Sequence, residues 1–144
     1  MRLAPFVPAA VLTSTEPKAI ETAIILAAPL GLHVVSDPVF DEHRRAAWPF
    51  EPDPAAVSAR VLRVLTAPGA SIEGAETGDA ARARFAGGLA AHPVRPLLVV
   101  THGTILSLYA ARAAGLEPEA LWRSLGLPEA LVFDGEGRLA ERIA

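Results

Sequence analysis

Leu97-Leu98-Val99-Val100-Thr101-His102-Gly103-Thr104 decides the fold. Four apolar residues in a row suit a strand covered on both faces, and the chain then passes without a linker into a helix that the spacing places over Ile105 to Ala114. A histidine at that junction lies at the carboxyl end of a parallel strand. Open α/β sheets hold their ligands there, and the free N–H groups of the helix favour an anion. An exposed imidazole beside those amides reads as a phosphate or carboxylate site. The plainer reading of the same residues is a satisfied histidine at a helix start.

Further toward the amino terminus, Val11-Leu12-Thr13-Ser14-Thr15-Glu16-Pro17-Lys18 repeats the pattern, an apolar strand ending in hydroxyl residues that can cap a helix, with Pro17 in its first turn. Lys18 then projects from the opening turn on the sheet edge that carries His102, as a phosphate-binding cation or as a solvated lysine. Pro38-Val39-Phe40-Asp41-Glu42-His43 reads as a short strand followed by carboxylates and a histidine. Such a carboxylate acts as a general acid if burial raises its pKa; otherwise the stretch is a polar loop.

The remaining pattern alternates. Strands are expected at Ala9 to Leu12 and His33 to Val35, and helices at Pro17 to Leu30, Pro54 to Thr66, Thr77 to Ala91 and Pro118 to Leu125. Ala46 to Pro54 and Ala67 to Ala75 read as connections, and Ala130 to Phe133 with Arg138 to Ile143 as a terminal hairpin turning on Asp134-Gly135-Glu136-Gly137. This order predicts an α/β sandwich with a mostly parallel sheet and an antiparallel edge, in one domain over residues 1–144.

Composition narrows the function classes. Of the 144 residues 51% are hydrophobic and 20% charged, which suits one compact core. A net charge of −3, with small basic spots at Arg44-Arg45 and Arg82 to Arg84, gives no reason to expect nucleic acid. There is no cysteine, which excludes disulfides and thiol nucleophiles, and the four histidines, at 33, 43, 92 and 102, do not follow a metalloprotease spacing. Leu3 to Leu12 is interrupted by two prolines and is not read as a secretory signal, and no run reaches membrane-span length, so a cytoplasmic location is expected.

In this order the segments resemble the histidine phosphatase superfamily, also called phosphoglycerate mutase-like. Ser14 to Ala23 is similar to the family's serine-proline-leucine, arginine-alanine, threonine-alanine segment, with Lys18 at the phosphate-binding arginine; lysine keeps the charge and loses the bidentate fork. Phe40 to His43 resembles the acid-bearing segment, which puts Glu42 in the proton-donor role. Gly74-Ala75-Glu76-Thr77 resembles the glycine-glutamate-serine segment near the substrate, and Val99 to Gly103 the second histidine motif, valine-serine-histidine-glycine.

The resemblance implies phosphoryl transfer from a small phosphate ester. His102 and Glu42 would be catalytic, Lys18, Ser14, Glu76, Gly103 and Thr104 would bind phosphate or substrate, and no metal or other cofactor is implied. One motif is missing: the 144 residues contain no Arg-His-Gly, the family's source of the phosphorylated histidine. Met1 to Phe6 reads like the end of the family's first helix, as if the start codon had been placed downstream, or as if a shortened product had lost the first strand and most of that helix. That strand is central in the family, so its place would have to be filled, for example by a homodimer. Three alternatives remain open: a phosphatase or mutase whose given sequence starts late, a non-catalytic remnant that binds phosphate or a phosphorylated partner, and a doubly wound binding module of flavodoxin-like type. The last lacks a visible phosphate loop or strand-end aspartate cluster.

Overall fold

Short runs of valine and leucine form a parallel sheet in the computed structural model, which describes residues 6–144; residues 1–5, and with them most of the predicted helix end at Met1 to Phe6, lie outside it. The strands are β1 (Ala10–Thr13), β2 (Val34–Ser36) and β3 (Leu97–Val100), in the order β2-β1-β3. Val11 pairs with Val34 on one side and Leu98 on the other, all in parallel register. The class is α/β, as the alternation predicts.

Helix α1 (Pro17–Ala27) joins β1 to β2 and buries Ala19, Ala23 and Ala27. Residues four apart share one face of a helix, and alanine there lets the helix backbone approach the strands closely. Val11, Ala23 and Ala27 form the core of this layer, with Leu32, Val34, Leu98 and Val100 packed against them. The α-helix stops three residues short of the predicted Leu30, because Pro29 lacks an N–H and its ring clashes with the preceding turn. A 3-10 turn, Ala28–Leu30, finishes the segment and ends on Gly31 at φ +64°, a conformation glycine adopts without strain.

Two sequence expectations are corrected here. Pro38–Phe40 is a 3-10 turn and not a strand: Pro38 fixes φ, and the Asp37 side chain accepts the Val39 N–H at 3.0 Å, which closes the backbone into a turn. The residues of β3 are only half-buried, against the expectation of a strand covered on both faces. Among the described residues β3 has one neighbour, β1.

The chain divides into two compact units, one of residues 1–42 and 84–102, which holds the parallel sheet, and one of residues 43–83 and 103–144. In the second, α2 (Pro54–Thr66) starts on Asp53, whose carboxylate accepts the Ala55 N–H, and buries Val61, Val64 and Leu65. Helices α4 (Gly103–Ala114) and α5 (Pro118–Ser124) pack through Ala110, Ala111 and Leu121, with Leu131 and Phe133 against them. The last two come from β4 (Ala130–Phe133), which pairs antiparallel with β5 (Leu139–Ile143). The predicted antiparallel edge is therefore a sheet of its own among the described residues.

Helix α3 (Gly78–Ala91) begins in the second unit and supplies Arg84 onward to the first. Its adjacent glycines, Gly87 and Gly88, should respond oppositely to alanine. A Cβ on Gly88 would lie 2.5 Å from Val39 Cγ2 and 3.1 Å from the Phe40 ring, whereas one on Gly87 meets nothing within 4 Å. Gly87→Ala should stabilise the protein by about 0.5–1 kcal/mol through helix propensity. Gly88→Ala should destabilise it by about 1–3 kcal/mol through overpacking, and denaturant melts of both variants check the difference in sign.

Candidate active site around His102

The ends of β1 and β3 are locked side by side. The Ser14 N–H donates to the Val100 carbonyl at 3.0 Å, and the Thr13 hydroxyl reaches the same carbonyl. This register places Ser14, the first residue after β1, beside His102. The two are 88 residues apart in sequence, yet His102 Nε2 lies 2.8 Å from Ser14 Oγ. The Thr101 hydroxyl donates to the Phe40 carbonyl at 2.7 Å and fastens the third segment, Asp41-Glu42, to the same edge.

Asp41 is the hub. Its Oδ1 accepts the Ser14 hydroxyl at 2.9 Å, the Thr15 N–H at 2.7 Å and the Thr15 hydroxyl at 2.8 Å. Burial pushes the Asp41 carboxyl up, but the Thr15 N–H, the Thr15 and Ser14 hydroxyls and the Arg84 charge outweigh it and hold the group below the usual carboxylate range. Arg84 braces the same segment from α3: its guanidinium donates to the carbonyls of Val39 at 2.8 Å, Asp41 at 3.1 Å and Glu42 at 3.3 Å. From sequence alone Arg84 is ordinary surface. Nothing local marks it, since its acceptors lie more than 40 residues away in sequence.

His102 is 8% exposed, which corrects the expectation of an exposed histidine. Burial pushes its pKa down and outweighs the carboxylates of Glu16, Glu42 and Asp41, which raise it, while Lys18 adds to the lowering. The imidazole is therefore neutral at neutral pH. Because its folded pKa is below the ordinary 6.5, the unfolded chain takes up the proton first as the pH falls. The stability this group contributes is full above pH 6.5 and is lost as acidification passes through its folded pKa. His102→Gln should flatten the fall of melting temperature in that window; an unchanged slope would place its origin elsewhere.

The cations and carboxylates meet at Glu16. Its Oε1 is 3.3 Å from His102 Nε2 and its Oε2 is 3.1 Å from Lys18 Nζ, so one carboxylate bridges the two groups that the sequence assigns to phosphate. Lys18 is 70% exposed and Glu16 36%, so the ion pair is solvent-screened and weakly held.

Ser14, Lys18, Glu42 and His102 are thus brought to one edge of the parallel sheet. Glu76 lies in the other unit, where its Oε2 accepts the Arg44 N–H at 3.0 Å and its carbonyl is 2.5 Å from His43 Nε2. Gly103 and Thr104 open α4, with Thr104 buried. No group of three or more histidines, aspartates or glutamates among the described residues could hold a metal ion. No helix among them is long and apolar enough to cross a membrane.

The model of the histidine phosphatase superfamily, branch 1, matches residues 1–133. The chain belongs to that superfamily. Solved structures of the fold agree. A mycobacterial glucosyl-3-phosphoglycerate phosphatase is 23% identical with a TM-score of 0.64, over 87% of this chain and 67% of its own. A protein from Thermus thermophilus is 22% identical with a TM-score of 0.67, over 94% of this chain and 73% of its own. A mycobacterial hydrolase is 22% identical with a TM-score of 0.65, and there the histidine phosphatase chain spans 87% of itself and 60% of the other. No curated protein gives a significant sequence match.

Proposed function

We propose that the His102 edge binds the phosphoryl group of a small phosphate ester, with Lys18 and His102 on its oxygens and Glu42 placed to protonate the leaving oxygen. The observation that carries this is the position of Glu16: an oxyanion already sits between His102 Nε2 and Lys18 Nζ, at 3.3 and 3.1 Å. A phosphate oxygen exchanging with that carboxylate meets the same donors. The glucosyl-3-phosphoglycerate phosphatase of similar fold, solved also with inorganic phosphate, supports the substrate class. In the family's route a histidine attacks phosphorus and positioned donors stabilise the equatorial oxygens. The 144 residues carry the donors but no Arg-His-Gly. A second reading for these 144 residues by themselves is a phosphate-binding module without turnover.

Inorganic phosphate or vanadate titrated against the labelled protein should move the His102 and Gly103 amide signals most. Lys18→Met should weaken binding. Glu16→Gln should strengthen it about fivefold, since removing one charge near 4 Å in water is worth about 1 kcal/mol. Shifts confined to Arg82 and Arg84 would rule out this site.

A further inference from the structure

A serine hydroxyl has one proton to donate and two lone pairs to accept with. Around Ser14 all three are assigned. The hydroxyl donates to Asp41 Oδ1 at 2.9 Å, the Glu16 N–H donates to Ser14 Oγ at 3.1 Å, and His102 Nε2 stands at 2.8 Å. With the proton directed at Asp41, Ser14 can only accept from His102. The second neighbour of that nitrogen, Glu16 Oε1 at 3.3 Å, is also an acceptor. We infer that Asp41 is a positioning residue that, by orienting the Ser14 hydroxyl, holds His102 as the tautomer protonated on Nε2, so that a neutral imidazole presents an N–H donor to the oxyanion seat now filled by Glu16.

Asp41 can serve in this way because it is a committed acceptor. The Thr15 N–H and hydroxyl both point at it, and its carboxyl lies below the usual range. Thr15 and Arg84 fix its place without touching the imidazole. The reversed chain, with Asp41 protonated and Ser14 donating to Nε2, would leave the Thr15 N–H and hydroxyl facing a weaker acceptor and would turn a lone pair toward the Glu16 carboxylate. The geometry opposes it. For phosphate the outcome matters: an Nε2 lone pair repels a phosphoryl oxygen, whereas an Nε2–H binds it. This consequence rests on the phosphate reading; the tautomer itself does not.

The test is long-range proton–nitrogen NMR of the histidine-labelled protein at mildly alkaline pH, where His102 is neutral. The wild-type ring should show a pyrrole-type Nε2 and a pyridine-type Nδ1. In Asp41→Asn the amide can donate to Ser14, the hydroxyl can then turn toward His102, and Nε2 should gain pyridine-type character. Phosphate affinity should fall about tenfold or more, the scale of lost positioning partners. Thr15→Val, which removes a donor to Asp41 but leaves Ser14 in place, should keep the wild-type tautomer. Should Asp41→Asn not fold, Ser14→Ala replaces it: loss of the hydroxyl should release the ring into a mixture of tautomers. A pyridine-type Nε2 in the wild type, or a ring indifferent to Asp41→Asn or its replacement, overturns the inference. If the ring responds as expected but no protein shifts with phosphate, the tautomer control stands and the phosphate reading falls.

Discussion

These 144 residues on their own should hydrolyse para-nitrophenyl phosphate and phosphoglycerates, at mildly acidic pH, slower by a factor on the order of 10⁴ or more than the same chain preceded by a strand bearing Arg-His-Gly. Covalent catalysis divides one difficult displacement into two easier ones, and it needs a nucleophile in line with the phosphorus. His102 is poorly suited to that role. It is buried, and its Nε2 is engaged with Ser14 and Glu16. Adding the strand should also raise the melting temperature, because β3 has one strand neighbour among the described residues and a second would pair its outer edge. Light scattering on both proteins reports whether a second copy fills that edge instead. Robust turnover by the 144 residues, abolished by His102→Ala, would falsify the claim that they lack the nucleophile.

Phe40→Ala should be the most damaging single core substitution near the site, costing about 3–5 kcal/mol out of the roughly 5–15 kcal/mol by which small domains are stable. Phe40 is 0% exposed and meets Phe85 edge-on, with ring centroids 5.4 Å apart at 81°. The backbone of α3 at Gly88 already packs against the ring, since a Cβ there would lie 3.1 Å from it, so the space left by alanine has little means of collapsing. Its carbonyl takes the Thr101 hydroxyl, and Asp41 follows it directly. The ring therefore anchors the strip that carries Asp41 and Glu42, and the variant should lose phosphate-induced shifts at His102 along with stability. Phe40→Leu, which keeps most of the volume, should cost less than half as much. Urea melts decide it; equal midpoints for Phe40→Ala and wild type would mean that the ring is not the anchor.

Local chemistry made much of this legible from the sequence. The limits of β3 and α2 match the structure, because a four-residue apolar run and an Asp-Pro start preceding apolar residues at helical spacing are complete signals in themselves. The order of four segments along the chain, those of Ser14 with Lys18, of Glu42, of Glu76 and of His102, was sufficient to suggest the family. It also placed Ser14 and His102 just past the carboxyl ends of β1 and β3, since strand direction and helix order follow from the alternation, whereas the strand expected before Glu42 is a 3-10 turn.

Other features exist only once distant segments meet. The Pro38–Phe40 turn depends on the Asp37 side chain reaching the backbone two residues on, a competition that the apolar content of Val39-Phe40 hides. The burial of His102, and with it the neutral imidazole, comes from the Thr101, Ser14 and Phe40 segments closing around it. Arg84 and Asp41 act through partners tens of residues away, and no spacing rule reaches that far. The sequence by itself determined which residues stand at the sheet edge, because periodicity and caps are local. Only the tertiary structure decided their chemistry, since hydrogen-bond direction, burial and the charge bridge at Glu16 depend on the distances between segments that folding sets.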